Sequence, residues 1–299
     1  MKEVIKLDTV DQYNRLFGLE TLHPLVSIVN LSEAPRFPTH FTMNYGVYAL
    51  FLKNVKCGDI RYGGQTYDYQ EGTVTSFAPG QVVEVEMQQG VKPNAHGLLF
   101  HPDLIKGTSL GQDIKHYSFF SYTSAEALHL SEEEKGIFID CLEKIKMELQ
   151  RPIDKHSKRL ISRNIELLLD YCARFNERQF ITRCEANKTI LHKTDLLLSK
   201  YILSGKLADG VLPTEEYCAD AFHLSPRYFS DLLKFETGKS IHEYFQLMRL
   251  NIAKRMLLDK DNTVHMTAKK LGYANVRYFT LLFKKITGIT PAKYKYTQN

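Results

Sequence analysis

The chain has 299 residues, 43% of them hydrophobic and 24% charged, enough apolar material for one large core or two medium ones, with two domains the better expectation. No apolar run approaches the roughly 18 residues of a membrane span, and the first ten residues lack the apolar core of a secretion signal, so a cytoplasmic protein is expected. Five cysteines without a Cys-x-x-Cys spacing give neither a disulfide framework nor a zinc knuckle, and no cofactor is indicated.

Charge is unevenly placed along the chain. Residues 185–299 hold 18 of the 39 lysines and arginines and 11 of the 34 acidic residues, about +7 net, against about −2 for the rest. A phosphate-binding module joined to a neutral domain has this split, and so has a merely solvated basic surface.

From residue 25 to about 120 the pattern predicts short strands: 25–29, 47–52, 73–77, 82–87 and 97–100. Gly58, Gly63-Gly64, Gly72, Pro79-Gly80 and Gly90 punctuate them at the spacing of an antiparallel barrel or sandwich, so this region reads as all-β. Tyr45, Tyr48, Tyr62, Tyr67, Tyr69 and Phe77 are candidates to line a ligand cavity, with ordinary sheet packing as the alternative. His23, His40, His96, His101 and His116 form no His-x-His pair with a downstream glutamate, so no metal is expected. Gly63-Gly64 lacks the lysine and helix start of a phosphate loop.

After residue 130 the period becomes helical. Ser131 and Glu134 form a capping-box signature, followed by Ile137, Phe138, Cys141, Leu142, Ile145 and Leu149 at helical spacing. Pro152 breaks that pattern, and a second runs from Ser157 through Ile161, Ile165, Leu168, Leu169 and Cys172 towards Phe175. These faces are expected to pack on the barrel or on a second subunit in a homodimer.

The last third contains an internal repeat. Tyr228-Phe229-Ser230-Asp231-Leu232-Leu233-Lys234 recurs 50 residues later as Tyr278-Phe279-Thr280-Leu281-Leu282-Phe283-Lys284, and each copy ends in Thr-Gly. Each copy reads as helix, tight turn, helix, at about 214–238 and 264–288. Thr214 and Ser225 are expected helix caps, and Gly238 and Gly288 expected stops. Phe229, Leu232 and Leu233 are expected to face inward in the first copy, leaving Arg227, Ser230, Asp231 and Lys234 outside. Phe279, Leu282 and Phe283 do the same in the second, leaving Arg277, Thr280, Leu281 and Lys284 outside. Residues 241–258 between them carry apolar side chains at helical spacing without proline or glycine, a helix of about 27 Å at 1.5 Å per residue. Such a helix could hold two reading helices roughly one DNA turn, about 34 Å, apart.

Residues 196–296 resemble the arabinose-regulator (AraC/XylS) family of bacterial transcription factors. The resemblance rests on Leu224-Ser225-Pro226-Arg227-Tyr228-Phe229 and on Arg249-Leu250-Asn251-Ile252-Ala253-Lys254-Arg255-Met256-Leu257. It continues in Leu271-Gly272-Tyr273, Tyr278-Phe279, Phe283-Lys284-Lys285, Thr287-Gly288-Ile289-Thr290-Pro291 and Tyr294. It implies a seven-helix domain with two helix-turn-helix units on one long helix, preceded by a cupin-like barrel that binds an effector or pairs subunits. Three positions depart from the family pattern: Thr267 replaces a branched apolar residue, Tyr273 a phenylalanine and Lys295 an arginine. Arginines common on the family's reading helices are Asp231 and Leu281 here.

The expected organisation is a sensor and dimerisation domain at 1–180, with helices at 131–178, and a DNA-binding domain at 185–299. Arg227, Ser230, Asp231, Lys234, Lys239, Val276, Arg277, Thr280, Leu281, Lys284 and Lys285 are the candidate contacts to two successive major grooves of duplex DNA. The lysines suit electrostatic anchoring rather than sequence choice. The resulting expectation is a non-enzymatic transcription regulator, an activator by family resemblance, gated by a small molecule or protein and working with RNA polymerase. The competing readings are a metal-dependent barrel enzyme with an accessory DNA-binding tail and an effector-independent architectural DNA binder.

Overall fold

The computed structural model describes residues 4–298 apart from 37, 39, 54–59, 63–64, 68–71 and 87–92, and the backbone alone at 40–41, 60–62, 65–67, 85–86, 124, 208–209 and 298. Two units emerge, Met1–Arg183 and Cys184–Asn299.

The first unit opens with β1 (Val4–Leu7), α1 (Val10–Phe17), β2 (Val26–Asn30), β3 (His40–Tyr45), β4 (Tyr48–Lys53), β5 (Ile60–Tyr62) and β6 (Gln65–Tyr67). It continues through β7 (Thr73–Phe77), β8 (Val82–Glu86), β9 (Ala95–Phe100), α2 (Pro102–Ile105), α3 (Ser109–Asp113), β10 (Leu128–His129), α4 (Glu132–Leu149) and α5 (Ser157–Thr182). The strands form a three-stranded sheet, β1-β3-β8, a five-stranded sheet, β10-β7-β4-β9-β2, and the β5-β6 hairpin. All these ladders are antiparallel except β1 with β3.

Period-two alternation in β4 divides the core into two layers. Ala49 and Phe51 join Leu7, Val29, Met43, Tyr45 and Leu99 in the layer formed by residues of both large sheets. Leu50 and Leu52 point the other way, to Phe138, Leu142, Ile145, Ile161, Ile165, Leu168 and Leu169 of α4 and α5. Those helices therefore cover one face of the five-stranded sheet, each fully buried aliphatic side chain contributing about 1.5–3 kcal/mol. Gly97 opposite Phe51 makes the sheet possible, because a Cβ there would sit 2.5 Å from the Phe51 ring.

Two expectations change. The stretch beyond Phe100 is not strand: His101 caps α2 with Pro102 in its first turn, Thr108 caps α3, and Ser118–Ser121 forms a 3-10 turn. Its apolar pairs, Leu104-Ile105 and Phe119-Phe120, are adjacent and do not alternate. The helix α1 was not expected, although Thr9 and Gln12 make a complete capping box at its start.

The second unit carries seven α-helices among the described residues: α6 (Cys184–Leu203), α7 (Glu215–Asp220), α8 (Pro226–Thr237), α9 (Ile241–Leu258), α10 (Val264–Lys270), α11 (Val276–Thr287) and α12 (Pro291–Gln298). The central α9 packs against α6, α8, α10 and α12. It starts at a Ser240–Glu243 capping box. Beyond its end, the Lys295 ammonium donates to the carbonyls of Asp259, Lys260 and Asn262 at 3.3, 2.8 and 2.7 Å, so lysine binds this turn where the family pattern has arginine.

Candidate nucleic-acid interface

Each helix-turn-helix is built on a buried pair and an aromatic anchor. Cys218 and Ala219 of α7 are fully buried, as are Phe229, Leu232 and Leu233 of α8. In the second unit Thr267 and Ala268 of α10 take the first role, and Phe279 and Phe283 of α11 the second. Leu282 is only half-buried, so the inward face of α11 is narrower than its sequence suggests.

The two turns follow one geometry with a changed register. Leu224 N–H donates to Ala219 O at 3.0 Å, and Tyr273 N–H to Ala268 O at 3.0 Å, which aligns the first half of each unit at an offset of 49. Ser225 and Asn275 then cap the reading helices at an offset of 50, so the second turn holds one extra residue. The shared turn position has left-handed backbone in both: φ is 56° at His223 and 69° at Gly272. A side chain at Gly272 is doubly excluded, since a Cβ would lie 2.3 Å from the Leu207 carbonyl oxygen.

Arg227 and Arg277 occupy equivalent, exposed positions in the first turns of α8 and α11. Arg227 Nε lies 3.5 Å from Asp231 Oδ2 one turn on, so the aspartate's charge is balanced within the helix. Ser230 is half-buried and its hydroxyl donates to Glu215 of α7 at 2.9 Å, which ties the reading helix to its support. Lys239 is also turned inward, its ammonium donating to Thr237 O at 3.1 Å at the end of α8. These two candidates are therefore less free to reach DNA than expected.

On α11, Leu281 is 60% exposed, Lys284 and Lys285 are exposed, and Val276 and Thr280 are half-buried along the same helix. Lys234 is exposed in the last turn of α8. Sequence reasoning missed Tyr278. Its repeat partner Tyr228 is 1% exposed, whereas Tyr278 is 54% exposed beside Arg277, and their identical surroundings in the repeat hid the difference.

Of the tyrosines proposed for a ligand cavity, the two with described side chains lie in different core layers. Tyr45 stacks on Phe77 at 5.0 Å in the layer between the sheets. Tyr48 stacks on Phe100 at 5.0 Å in the opposite layer, under the helices. Tyr45 ends β3 of the three-stranded sheet and Tyr48 opens β4 of the five-stranded one, and burial pushes both phenols above their ordinary pKa. Tyr69 and the side chains of Tyr62 and Tyr67 lie outside the described residues. Among the described residues, no group of three or more His, Cys, Asp or Glu side chains is arranged to hold a metal ion, and no helix is long and apolar enough to cross a membrane.

A helix-turn-helix domain family matches residues 218–296, from within α7 to within α12. The chain is 39% identical over 79 residues to YobQ of Bacillus subtilis (strain 168), an HTH-type transcriptional regulator, covering 26% of this chain and 33% of that protein. It is 33% identical over 106 residues to the transcriptional regulatory protein YesN of the same organism, covering 34% of this chain and 29% of YesN. The solved C-terminal domain of AraT, a response regulator from Geobacillus stearothermophilus, is 29% identical with a TM-score of 0.31, covering 36% of this chain and 84% of that one. The chain thus spans about a third of the length of the two relatives.

Proposed function

We propose that this chain, which belongs to the AraC/XylS family through its C-terminal unit, is a sequence-specific DNA-binding transcription regulator whose N-terminal β-rich unit receives a signal. The observation that carries this reading is the paired placement of Arg227 and Arg277, each exposed in the first turn of a reading helix, in two helix-turn-helix units packed on one 18-residue helix. Both N-terminal turns can present a guanidinium fork to a base edge or a phosphate, and Lys234, Lys284 and Lys285 add charge at the far ends.

The reading extends to a cytoplasmic activator that works as a homodimer with RNA polymerase and responds to a small molecule, without enzymatic activity of its own. Exposed Met147, Ile153, Leu160 and Leu167, on and between α4 and α5, support pairing through this surface. The test is fluorescence anisotropy at about 150 mM salt, comparing the duplex upstream of the chain's own coding region, and duplexes selected from a random pool, with unselected DNA. A regulator prefers its site by about a thousandfold or more. Equal affinity for all duplexes overturns this reading in favour of an architectural DNA binder.

A further inference from the structure

On the N-terminal unit, the link between α2 and α3 and the start of α5 enclose a cleft of about 440 Å³. Lys106, Lys155, Lys158, Arg159 and Arg163 line it, and no acidic side chain does. Lys158 is fixed at the wall by donating to the carbonyls of Asp103 and Lys106 at 3.3 and 3.0 Å. Arg163 is paired with Glu166 at 2.6 Å, whereas Lys106, Lys155 and Arg159 have no carboxylate partner among the described residues. Several like charges held around one concavity raise the local concentration of anions and favour a ligand that neutralises more than one of them.

Ser162 lines the cleft at 2% exposure, and its hydroxyl has no hydrogen-bond partner. A serine inside a helix ordinarily returns its proton to the carbonyl four residues earlier, which would be Lys158. That hydroxyl is sealed from solvent, so it lies behind the cleft wall and the exposed donors are the cations. The rim hydroxyls are already engaged, Thr108 donating to the Ile105 carbonyl at 2.6 Å and Ser109 to Glu166 at 3.1 Å.

We propose that this cleft binds a small phosphorylated molecule. The Arg159 guanidinium fork and the Lys106 and Lys155 ammonium groups form a phosphate donor set, several cations call for more than one negative charge, and the volume falls in the range of small-molecule sites, about 300–1,000 Å³. The assignment stands independently of whether the C-terminal unit reads DNA.

The test is calorimetric titration of the full chain with inorganic pyrophosphate at fixed ionic strength. Three proteins are compared: the parent, a triple Lys106→Ala, Lys155→Ala, Arg159→Ala variant, and a double Arg227→Ala, Arg277→Ala variant. The proposal predicts saturable one-to-one binding that the triple variant weakens by at least about tenfold and that the double variant leaves unchanged. Absence of saturable binding, equal binding by the triple variant, or loss only in the double variant overturns it. So does a result in which the triple variant loses affinity for unselected duplex DNA but not for pyrophosphate, which would make the cleft a DNA surface.

Discussion

The guanidinium of Arg249 on the central helix lies 3.8 Å from the centre of the Tyr273 ring in the turn of the second helix-turn-helix. Arg249 is 4% exposed, its second aromatic neighbour is Phe245 at 5.8 Å, and burial pulls its pKa below the ordinary arginine value. A desolvated cation over an aromatic face is worth about 2 kcal/mol or more, so this contact couples the central helix to the second unit. Replacing Tyr273 by Leu or Arg249 by Met is expected to destabilise the C-terminal unit by about 1–3 kcal/mol each. Urea denaturation of both single variants and the double variant checks the pairing: a coupling energy of at least about 1 kcal/mol is expected, and additive effects would refute it. Tyr273→Phe is expected to be neutral or stabilising, because the buried phenol oxygen has no hydrogen-bond partner.

The left-handed turn residue gives a pair of opposite outcomes. His223→Gly relieves a backbone conformation that costs a side-chain-bearing residue about 1–2 kcal/mol, partly offset by glycine's greater unfolded-state entropy, for a net gain of about 0.5 kcal/mol. Gly272→Ala meets both the positive φ and the Leu207 carbonyl, and is expected to cost more than about 2 kcal/mol. Thermal unfolding of the two variants should move Tm in opposite directions.

Thr267 is fully buried and its hydroxyl is without a hydrogen-bond partner. Thr267→Val keeps the shape and removes an unsatisfied polar atom, so a gain of about 1 kcal/mol is expected, with DNA affinity unchanged. A loss of stability in denaturant titration would mean that the hydroxyl has a partner in solution.

Much of the C-terminal architecture is legible in the sequence because local and global signals agree there. The Phe229 and Phe279 anchors, the Gly238 and Gly288 stops and the uninterrupted apolar spacing of 241–258 each specify the element they occupy. What was hidden depends on partners distant in sequence. Arg249 looks like a surface residue until Tyr273 is placed above it. Ser230 looks like a reader until Glu215 is placed beside it. In α6 the buried stripe includes Asn187 and Thr194, held by Glu236 and by the Ile190 carbonyl, so its polarity concealed its periodicity. In the N-terminal unit the aromatic strands supply core to two layers, and composition does not say which layer Tyr45 or Tyr48 enters.

Stability of the N-terminal unit should depend on pH through His129. Burial foremost, with Arg183 and Arg178 nearby, pushes its pKa down to about 3. The folded state holds it neutral, while the unfolded chain takes up a proton near pH 6.5. The stabilising contribution is therefore full above pH 6.5 and is lost as pH falls from about 6.5 towards 3, with a slope of up to about 1.4 kcal/mol per pH unit. Comparing urea unfolding at pH 7 and pH 5 checks this: His129→Gln should flatten the difference, and an unchanged slope would assign it to other groups.

The central claim is that two reading helices, one from each unit, choose the DNA sequence. The most direct measurement is selection of preferred duplexes from a random pool with the intact chain and with Arg227→Ala and Arg277→Ala. The account predicts one enriched motif for the intact chain, with each variant relaxing a different segment and the two segments about one helical turn, roughly 10 base pairs, apart. Relaxation of the same segment by both variants, or enrichment that neither variant alters, would contradict it.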